Sequence, residues 1–271
     1  MTAIASLSPA LTLGLALTAD IPDAESLNAL LELASRADIA AVVPRLAPTM
    51  ADHGWVASEI SRHDATSQHP VAVYLEPAMA GAVHNASALA VGALGPISGL
   101  DDAGRADVRL VKEVSAIERA ASCHPGTSTF LVTLPPSFAT TMDSLAQDLR
   151  NQWHHVLALT VGHLGINTHD AADASDTTAA LADLLSQPVV EFPGAYFVGN
   201  IAEVVKGSFL GSNGHIALNT PRPDVAEAYL RRRGIAMRAN TRNEDPAGRL
   251  NTIYLEDEIG GFALHLRANR E

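Results

Sequence analysis

One pattern occurs twice in this sequence, first as His163-Leu164-Gly165-Ile166-Asn167-Thr168 and again as His215-Ile216-Ala217-Leu218-Asn219-Thr220. Both hexapeptides follow the order His, aliphatic, small, aliphatic, Asn, Thr, and they start about 50 residues apart, the spacing of a structural repeat. In an extended strand alternate side chains share a face. Each copy therefore puts its His, small residue and Asn on one face and its aliphatic residues on the other. The sequence predicts two equivalent strands that bury one face and present histidine on the other.

Similar elements follow the two copies. A helical pattern covers 176–187 after the first copy and 224–233 after the second, where Gly234 ends it. Three strand-like runs then complete each half of the repeat. They are predicted at 189–192, 195–199 and 201–206 in the first half, and at 235–239, 250–255 and 261–266 in the second. Each half is therefore predicted to be a βαβββ module.

Paired βαβββ modules are the plan of the vicinal oxygen chelate superfamily, which includes glyoxalase I, extradiol dioxygenases and the fosfomycin and bleomycin resistance proteins. The second half of the chain resembles this superfamily. Three of its stretches are also similar to the C-terminal extension of some keto-hydroxyglutarate/keto-deoxy-phosphogluconate aldolases: 214–218, 228–230 and 253–266. The resemblance covers 161–267 and implies an α+β domain of two modules over residues 156–271.

The first half, residues 1–155, alternates strand-like and helix-like runs, which predicts parallel strands joined by helical crossovers. Strands are predicted at 12–17, 39–46, 71–75 and 129–134, and helices at 23–36, 55–62, 101–122 and 140–153. About 150 residues is short for a complete eight-fold barrel, which typically needs ~250. We therefore expect an α/β domain that is a reduced or partial barrel, or a small open sheet.

The lysines bear on what the first half does. The aldolase resemblance implies a barrel with a Schiff-base lysine on a strand, but the chain has only Lys112 and Lys206. Lys112 falls inside the predicted helix 101–122, and Lys206 lies in the second half, so Schiff-base chemistry is not expected. The stretch 13–17, with the later pattern at 104–117, is also similar to luciferase-like flavin monooxygenases. A flavin-dependent first half therefore stays as an alternative.

Composition and charge limit the classes of partner and compartment. The formal net charge of −12 disfavours nucleic acid and anionic membrane surfaces as partners. No stretch approaches the ~18 apolar residues of a membrane span. The apolar run at 11–19 lacks the preceding basic residue of a secretory signal. The single cysteine, Cys123, excludes a disulfide framework and fits a reducing compartment, so we expect a cytoplasmic protein.

The superfamily resemblance places metal ligands on the first and last strands of each module. Carried onto this sequence, they are His163, Glu203, His215 and His265. Strand alternation indicates the same positions, because Glu203 interrupts an apolar run and His265 shares a face with small Ala263. Imidazole and carboxylate suit Zn, Ni, Fe or Mn, so a divalent metal is the expected cofactor.

His265 departs from the superfamily pattern, in which most relatives carry Glu at that point. Three imidazoles and one carboxylate give one formal ligand charge instead of two, which favours Zn, Ni or Fe(II) over Mg. The competing interpretation is structural: the histidines are hydrogen-bonded core residues and Glu203 is a buried acid.

Two functional classes follow from the resemblance. The first is a metal-dependent lyase or isomerase that acts on a small oxo or hydroxy acid by stabilising an enolate or oxyanion. Its expected substrate contacts are Asn167, Asn219, Tyr196 and Arg249, and no residue stands out as a catalytic base. The second is a non-catalytic ligand-binding or regulatory module. Superfamily members often dimerise, so both a homodimer and a monomer with one complete site are expected alternatives.

Overall fold

The computed structural model of the chain describes residues 13–47, 54–66, 71–75, 91–93 and 108–269. The chain divides into two compact units, Met1–Leu157 and Ala158–Glu271. Each unit has its own β-sheet. In the part of the chain that is described, no helix is long and apolar enough to cross a membrane.

The sheet of the first unit contains six strands whose described pairings are all parallel. They are β1 (Gly14–Ile21), β2 (Ala41–Leu46), β3 (Ala72–Leu75), β4 (Val91–Ala93), β5 (Val108–Val111) and β6 (Thr129–Thr133). The order across the sheet is β4-β3-β2-β1-β6-β5, so the first strand lies between the second and the last. An α/β barrel opened between β4 and β5 has this order. The predicted parallel α/β architecture is confirmed.

In the described part of the first unit, helices lie between these strands and after β6. They are α1 (Ala24–Arg36), α2 (Gly54–Thr66), α3 (Ile117–Cys123) and α4 (Met142–Leu157), with 3-10 turns at Val114–Ala116 and Phe138–Thr141. Asp23 starts α1 by accepting a hydrogen bond from the Ser26 backbone amide at 2.8 Å. The apolar face of α1, including Leu27 and Leu30, is fully buried. Helical spacing of leucine therefore packs this helix into the core of the first unit.

The predicted helix at 101–122 is wrong at 108–113 and correct from Val114, where a 3-10 turn begins; its start at 101–107 lies outside the described residues. Residues 108–111 form β5, which pairs in parallel with β6, and an α-helix begins only at Ile117. The valines at positions 108, 111 and 114 fit a helical period, but β-branched residues also favour strands, and pairing with a buried neighbour decides the outcome. Lys112 follows the strand end and is exposed. Because Lys112 does not lie in a helix, the predicted helix no longer argues against Schiff-base chemistry at this residue.

The second unit consists of two successive βαβββ modules, as the sequence pattern predicts. The first module is β7 (Thr160–Asn167), α5 (Ala171–Leu185), β8 (Val189–Glu191), β9 (Ala195–Val198) and β10 (Ala202–Val205). The second is β11 (His215–Thr220), α6 (Pro223–Arg232), β12 (Met237–Glu244), β13 (Leu250–Leu255) and β14 (Ala263–Ala268). Together they form one eight-stranded sheet in the order β12-β13-β14-β11-β7-β10-β9-β8. The two hexapeptides are the central strands β7 and β11.

The first helix of this unit begins at residue 171, ahead of the predicted 176. Asp170 explains the early start, because its carboxylate accepts hydrogen bonds from the backbone amides of Ala172 and Asp173 at 2.9 and 3.0 Å. These bonds satisfy donors that a helix start leaves without an internal partner.

Candidate metal centre

The two hexapeptides pair with each other in a reciprocal register. β11 runs antiparallel to β7, with His215 opposite Gly165 and Ala217 opposite His163. Each histidine therefore lies across from the small residue of the other copy. This pairing requires a small residue two positions after each histidine, and both hexapeptides have one.

The strands on either side of the β11–β7 pair, β14 and β10, extend the same arrangement. Glu203 on β10 lies opposite Gly165, and His265 on β14 lies opposite Ala217. Two rows result across the sheet: Glu203–Gly165–His215 and His163–Ala217–His265. Strands are ~4.8 Å apart, so ligand-type residues two strands apart begin ~10 Å from each other at the backbone. The small residue between them lets their side chains lean together.

The ligand-type atoms converge. The Nε2 atoms of His163 and His215 are 3.3 Å apart, and each lies 3.2 Å from Oε2 of Glu203. His265 completes the cluster, because one ring nitrogen from each of the three histidines lies within 4.8 Å of the others. The structure thus brings the three predicted histidines together, and it places the Glu203 carboxylate beside Nε2 of His163 and of His215.

The three imidazoles are buried and the carboxylate is partly open. The histidines at 163, 215 and 265 are 5%, 1% and 4% exposed, whereas the Glu203 side chain is 23% exposed. Within the described residues, neither ring nitrogen of His265 has a hydrogen-bond partner, nor does Nδ1 of His163 or of His215. Buried polar atoms without a partner are costly, and a group bound by a ring nitrogen of His265 would remove part of that cost.

The triangle of His163, His215 and Glu203 has the donor spacing of a metal site as well as that of a hydrogen-bonded cluster. If both Nε2 atoms donate to the carboxylate, two N–H groups face each other across 3.3 Å with no acceptor between them. A tetrahedral ion with ligand bonds of ~2.0–2.1 Å separates its donor atoms by ~3.3–3.4 Å. The observed separations match that spacing. Three buried histidines at this site can therefore hold a metal ion.

Gly165 provides the space for one of these rings. A β-carbon on Gly165 would lie 2.0 Å from Cε1 and 2.1 Å from Nδ1 of His215. These separations are far below van der Waals contact, so any larger residue would displace the imidazole. The sequence pattern shows position 165 only as small. The need for glycine comes from the ring packed directly over the backbone.

Two members of the cluster, Glu203 and His265, have strongly shifted pKa values. Burial alone raises the pKa of Glu203, but hydrogen bonds from His163 and His215 outweigh burial and bring that pKa to about 2. Burial, followed by repulsion from the other two imidazoles, lowers the pKa of His265 to about 3. At neutral pH Glu203 is an anion and His265 is neutral, which are the protonation states that metal coordination requires.

Three aromatic side chains surround the cluster. Tyr254 stacks on His265 with ring centroids 4.5 Å apart, and Phe197 and Phe209 make edge contacts with the other two imidazoles at 5.6 and 6.1 Å. Burial and the negative charge of Glu203 raise the pKa of Tyr254, so its phenol stays protonated. Sequence reasoning missed these three residues as parts of the site, because their placement depends on cross-strand register.

The two predicted asparagines have different environments. Asn167 donates to the backbone carbonyls of Phe209 and Gly211 at 3.2 and 2.9 Å, and accepts from the Phe209 amide at 3.2 Å. It thereby fixes the loop that carries Phe209. Asn219 lies over Gly162, and its Oδ1 has no hydrogen-bond partner among the described residues.

The structure does not bring the other two predicted substrate contacts to the cluster. Tyr196 neighbours Phe197 on β9, so it points to the opposite face of the sheet, where Lys206 lies 4.3 Å from the centre of its ring. Arg249 lies in the turn before β13, where its Nε is 2.7 Å from Oδ2 of Asp245 and 63% of its side chain is exposed. Both residues are held by local partners away from the histidines.

Comparisons with known proteins add only fold likeness. No family model matches the sequence, and no curated protein matches it. Among solved structures, the chain is similar to the hypothetical protein BH1468 from Bacillus halodurans C-125, with 14% identity and a TM-score of 0.32 over 42% of this chain and 96% of that one. It is also similar to a methylmalonyl-CoA epimerase, with 14% identity and a TM-score of 0.30 over 41% of this chain and 95% of that one. A third match, the oxidase ChaP-H2, has 19% identity and a TM-score of 0.17 over 41% of this chain and 94% of that one.

These scores are too low to carry an argument about chemistry. None of the matches supports the likeness to an aldolase extension, which stays a prediction. The case for a metal centre rests on the geometry of the four side chains.

The low pKa of His265 predicts how stability depends on pH in the metal-free protein. The pKa of His265 in the folded chain, about 3, is below the ~6.5 of an unfolded histidine, so the unfolded state binds more protons once the pH falls below ~6.5. The stability contribution is complete above that pH and is lost as the pH falls toward 3. The free energy of unfolding should drop by up to ~1.4 kcal/mol per pH unit.

Denaturant unfolding with a chelator present, followed by circular dichroism at pH 6.5 and pH 5, measures this loss. A His265→Leu variant removes the titrating group and should lose less stability over the same interval. Glu203 hardly contributes between pH 6.5 and pH 5. Its pKa is near 4.5 in the unfolded chain and about 2 in the fold, so its own effect on stability falls below pH 4.5. Equal losses in parent and variant would show that His265 is not a buried neutral imidazole.

Proposed function

We propose that the chain is a metal-dependent enzyme of the vicinal oxygen chelate type, with lyase or isomerase chemistry on a small oxo or hydroxy acid. The observation that carries the proposal is the near-equilateral triangle of Nε2 of His163, Nε2 of His215 and Oε2 of Glu203, closed by a His265 with no hydrogen-bond partner in the described chain. These four residues would hold the ion.

A divalent ion bound here supplies Lewis-acid polarisation of substrate oxygens. The ligand set also favours an acidic substrate. Glu203 is the single anion among the four ligands, so a divalent ion at the site keeps a net positive charge. The carboxylate is also the most exposed ligand, at 23%, so a substrate reaches the centre beside it.

The surrounding residues provide positioning and exclusion of water. Tyr254, stacked on His265 and kept protonated, is placed to donate a hydrogen bond to a substrate oxygen. The rings of Phe197 and Phe209 cover the sides of the cluster and strengthen electrostatic interactions inside it by excluding water. Glu203 is too weak a base, with a pKa of about 2, to take a proton from carbon at neutral pH.

The proposal is tested by enolisation. The purified chain, reconstituted separately with Zn²⁺, Ni²⁺, Fe²⁺ and Mn²⁺, is incubated in D2O with a panel of small 2-oxo and 2-hydroxy acids. Proton NMR then follows loss of the hydrogen next to the carbonyl. We expect metal-dependent exchange with at least one acid, and loss of that exchange in a His215→Ala variant. Exchange that is the same in the variant would contradict a role for this centre.

A non-catalytic binding module predicts a different result. Such a module would bind an acid from the same panel without exchanging its hydrogens, whichever metal is present. Stoichiometric metal in the purified and reconstituted protein is required by the enzyme proposal. Its absence would move the interpretation to the binding module.

Substitution of the unusual fourth ligand provides a further prediction. His265→Glu should weaken metal binding less than His265→Ala, because glutamate restores an anionic donor at a position where alanine leaves none. The added carboxylate should also shift preference toward harder ions such as Mn²⁺ and Mg²⁺. Calorimetric titration of both variants with Zn²⁺ and Mn²⁺ checks the order. Equal affinities for the two variants would show that His265 is not a ligand.

A further inference from the structure

A cleft of about 430 Å³ opens at the carboxyl ends of strands in the first unit. β1 and β2 end there at Ile21 and Leu46, and the segment after β6 contributes Pro136 and Phe138. The carboxyl ends of parallel strands are where open α/β sheets and α/β barrels bind their ligands. The described lining of the cleft belongs to the first unit, whereas the histidine cluster belongs to the second.

Among the described residues that line the cleft, Arg45 is the only cation, and contacts with two residues of β1 hold it in place. Nη1 of Arg45 donates to Oγ1 of Thr18 at 3.0 Å, and Thr18 is fully buried on β1. Nε of Arg45 donates to Oδ1 of Asp20 at 2.7 Å. The buried hydroxyl fixes the direction of the guanidinium, whereas the Asp20 side chain is 76% exposed.

The carboxylate of Asp20 pairs with the Arg45 guanidinium and can be displaced by another anion. The hydrogen bond from Arg45 lowers the pKa of Asp20, so its carboxylate is charged at neutral pH. Ion pairs between exposed groups are weak, with a median strength of ~0–1 kcal/mol. An anion from solution can therefore take the place of Asp20 on the guanidinium while the Thr18 contact keeps Arg45 aimed at the cleft.

The rest of the lining is apolar. Besides Ser26, the described residues around the pair are Ile21, Pro22, Leu46, Ala47, Pro136, Phe138 and Ala139. An inorganic ion would leave this surface uncovered, whereas a ligand with an apolar body would bury it.

We propose that this cleft binds a small organic anion, a carboxylate or a phosphate monoester with an apolar body, through Arg45, and that Asp20 acts as an internal competitor for the same guanidinium. The two headgroups share one recognition chemistry, because both accept paired hydrogen bonds from arginine. Removing the competitor should strengthen binding, and removing the cation should weaken it.

The test is a calorimetric titration of the full chain at pH 7 with benzoate, phenyl phosphate and neutral benzyl alcohol. EDTA is present so that a metal at the histidine cluster cannot bind the anions. We expect Asp20→Asn to bind the anions up to about fivefold more tightly than the parent, the ratio that loss of a weak ion pair allows. Arg45→Gln should bind them at least tenfold more weakly. Benzoate and phenyl phosphate show which headgroup is preferred.

Arg62→Gln is the matched control, because Arg62 is also an exposed arginine paired with a carboxylate, Glu59, but does not line the cleft. It should bind like the parent. The proposal is overturned if benzyl alcohol binds as well as the anions, if neither anion binds at millimolar concentration, or if Arg45→Gln and Arg62→Gln behave alike. Should Arg45→Gln fail to fold by circular dichroism, Asp20→Asn decides alone: unchanged or weaker anion binding overturns the proposal.

Discussion

Replacing His215 by alanine is expected to lower the affinity of the chain for Zn²⁺ by more than about 100-fold. Losing a residue that only orients a ligand costs 10- to 100-fold, so losing a ligand should cost at least as much. His215 is the most enclosed of the four, at 1% exposure, and its Nε2 contacts both His163 and Glu203. Because His215 is enclosed in the sheet, no exposed side chain can replace it as a ligand unless the sheet opens.

The measurement is competitive metal titration against a chromophoric chelator at pH 7. His163→Ala and Glu203→Ala should show losses of similar size, because each residue contributes one bond to a single centre. His169→Ala is the control, since His169 is an exposed histidine in the same unit. If His215→Ala binds Zn²⁺ as tightly as the control, the cluster is a group of core histidines and the enzyme proposal loses its support.

Replacing Gly165 by alanine should disable the centre without removing any ligand. The added methyl group would lie 2.0 Å from Cε1 of His215, so the ring must move away from the position where its Nε2 meets Glu203. We expect Zn²⁺ affinity to fall roughly 10- to 100-fold, as for groups that orient ligands. Overpacking should also destabilise the second unit by ~1–3 kcal/mol.

Gly194→Ala is the matched control for this substitution. A β-carbon at Gly194 would meet no atom within 4 Å, so its metal affinity and stability should stay near those of the parent. Titration with Zn²⁺ and denaturant unfolding are measured on both variants. Unchanged metal binding in Gly165→Ala would mean that His215 coordinates nothing in its described position.

Much of the second unit was predictable because two periodicities coincide in it. Strand alternation puts His163 and Gly165 on one face, and duplication repeats that face at His215. The pairing register between strands was not predictable, because the sequence of one strand does not determine which residue of the neighbouring strand lies opposite each position. The predicted ligands could therefore be named, but the need for glycine beneath His215 could not.

The errors have similar causes. The run at 108–111 fits both a helix and a strand, and its partner β6 decides for the strand only after the chain has folded. Tyr254 was visible in the sequence, but it lies beside His265 because β13 pairs with β14 in one particular register. Arg249 stays a predicted substrate contact, but composition did not reveal that its Nε donates to Asp245, four residues earlier. Local partners and tertiary pairing both override what composition suggests.

The reciprocal pairing of β7 and β11 amounts to an approximate two-fold rotation axis through the centre of the site, and that symmetry is interrupted. Register shifts just after Ala217, where β7 carries one extra residue, Gly162. Beyond this point the two halves are no longer equivalent: Asn167 closes one end by binding a loop, whereas Asn219 packs over Gly162 with a free carbonyl oxygen among the described groups. The two ends of the duplicated site are therefore chemically different. An asymmetric ligand would meet different groups in its two possible orientations.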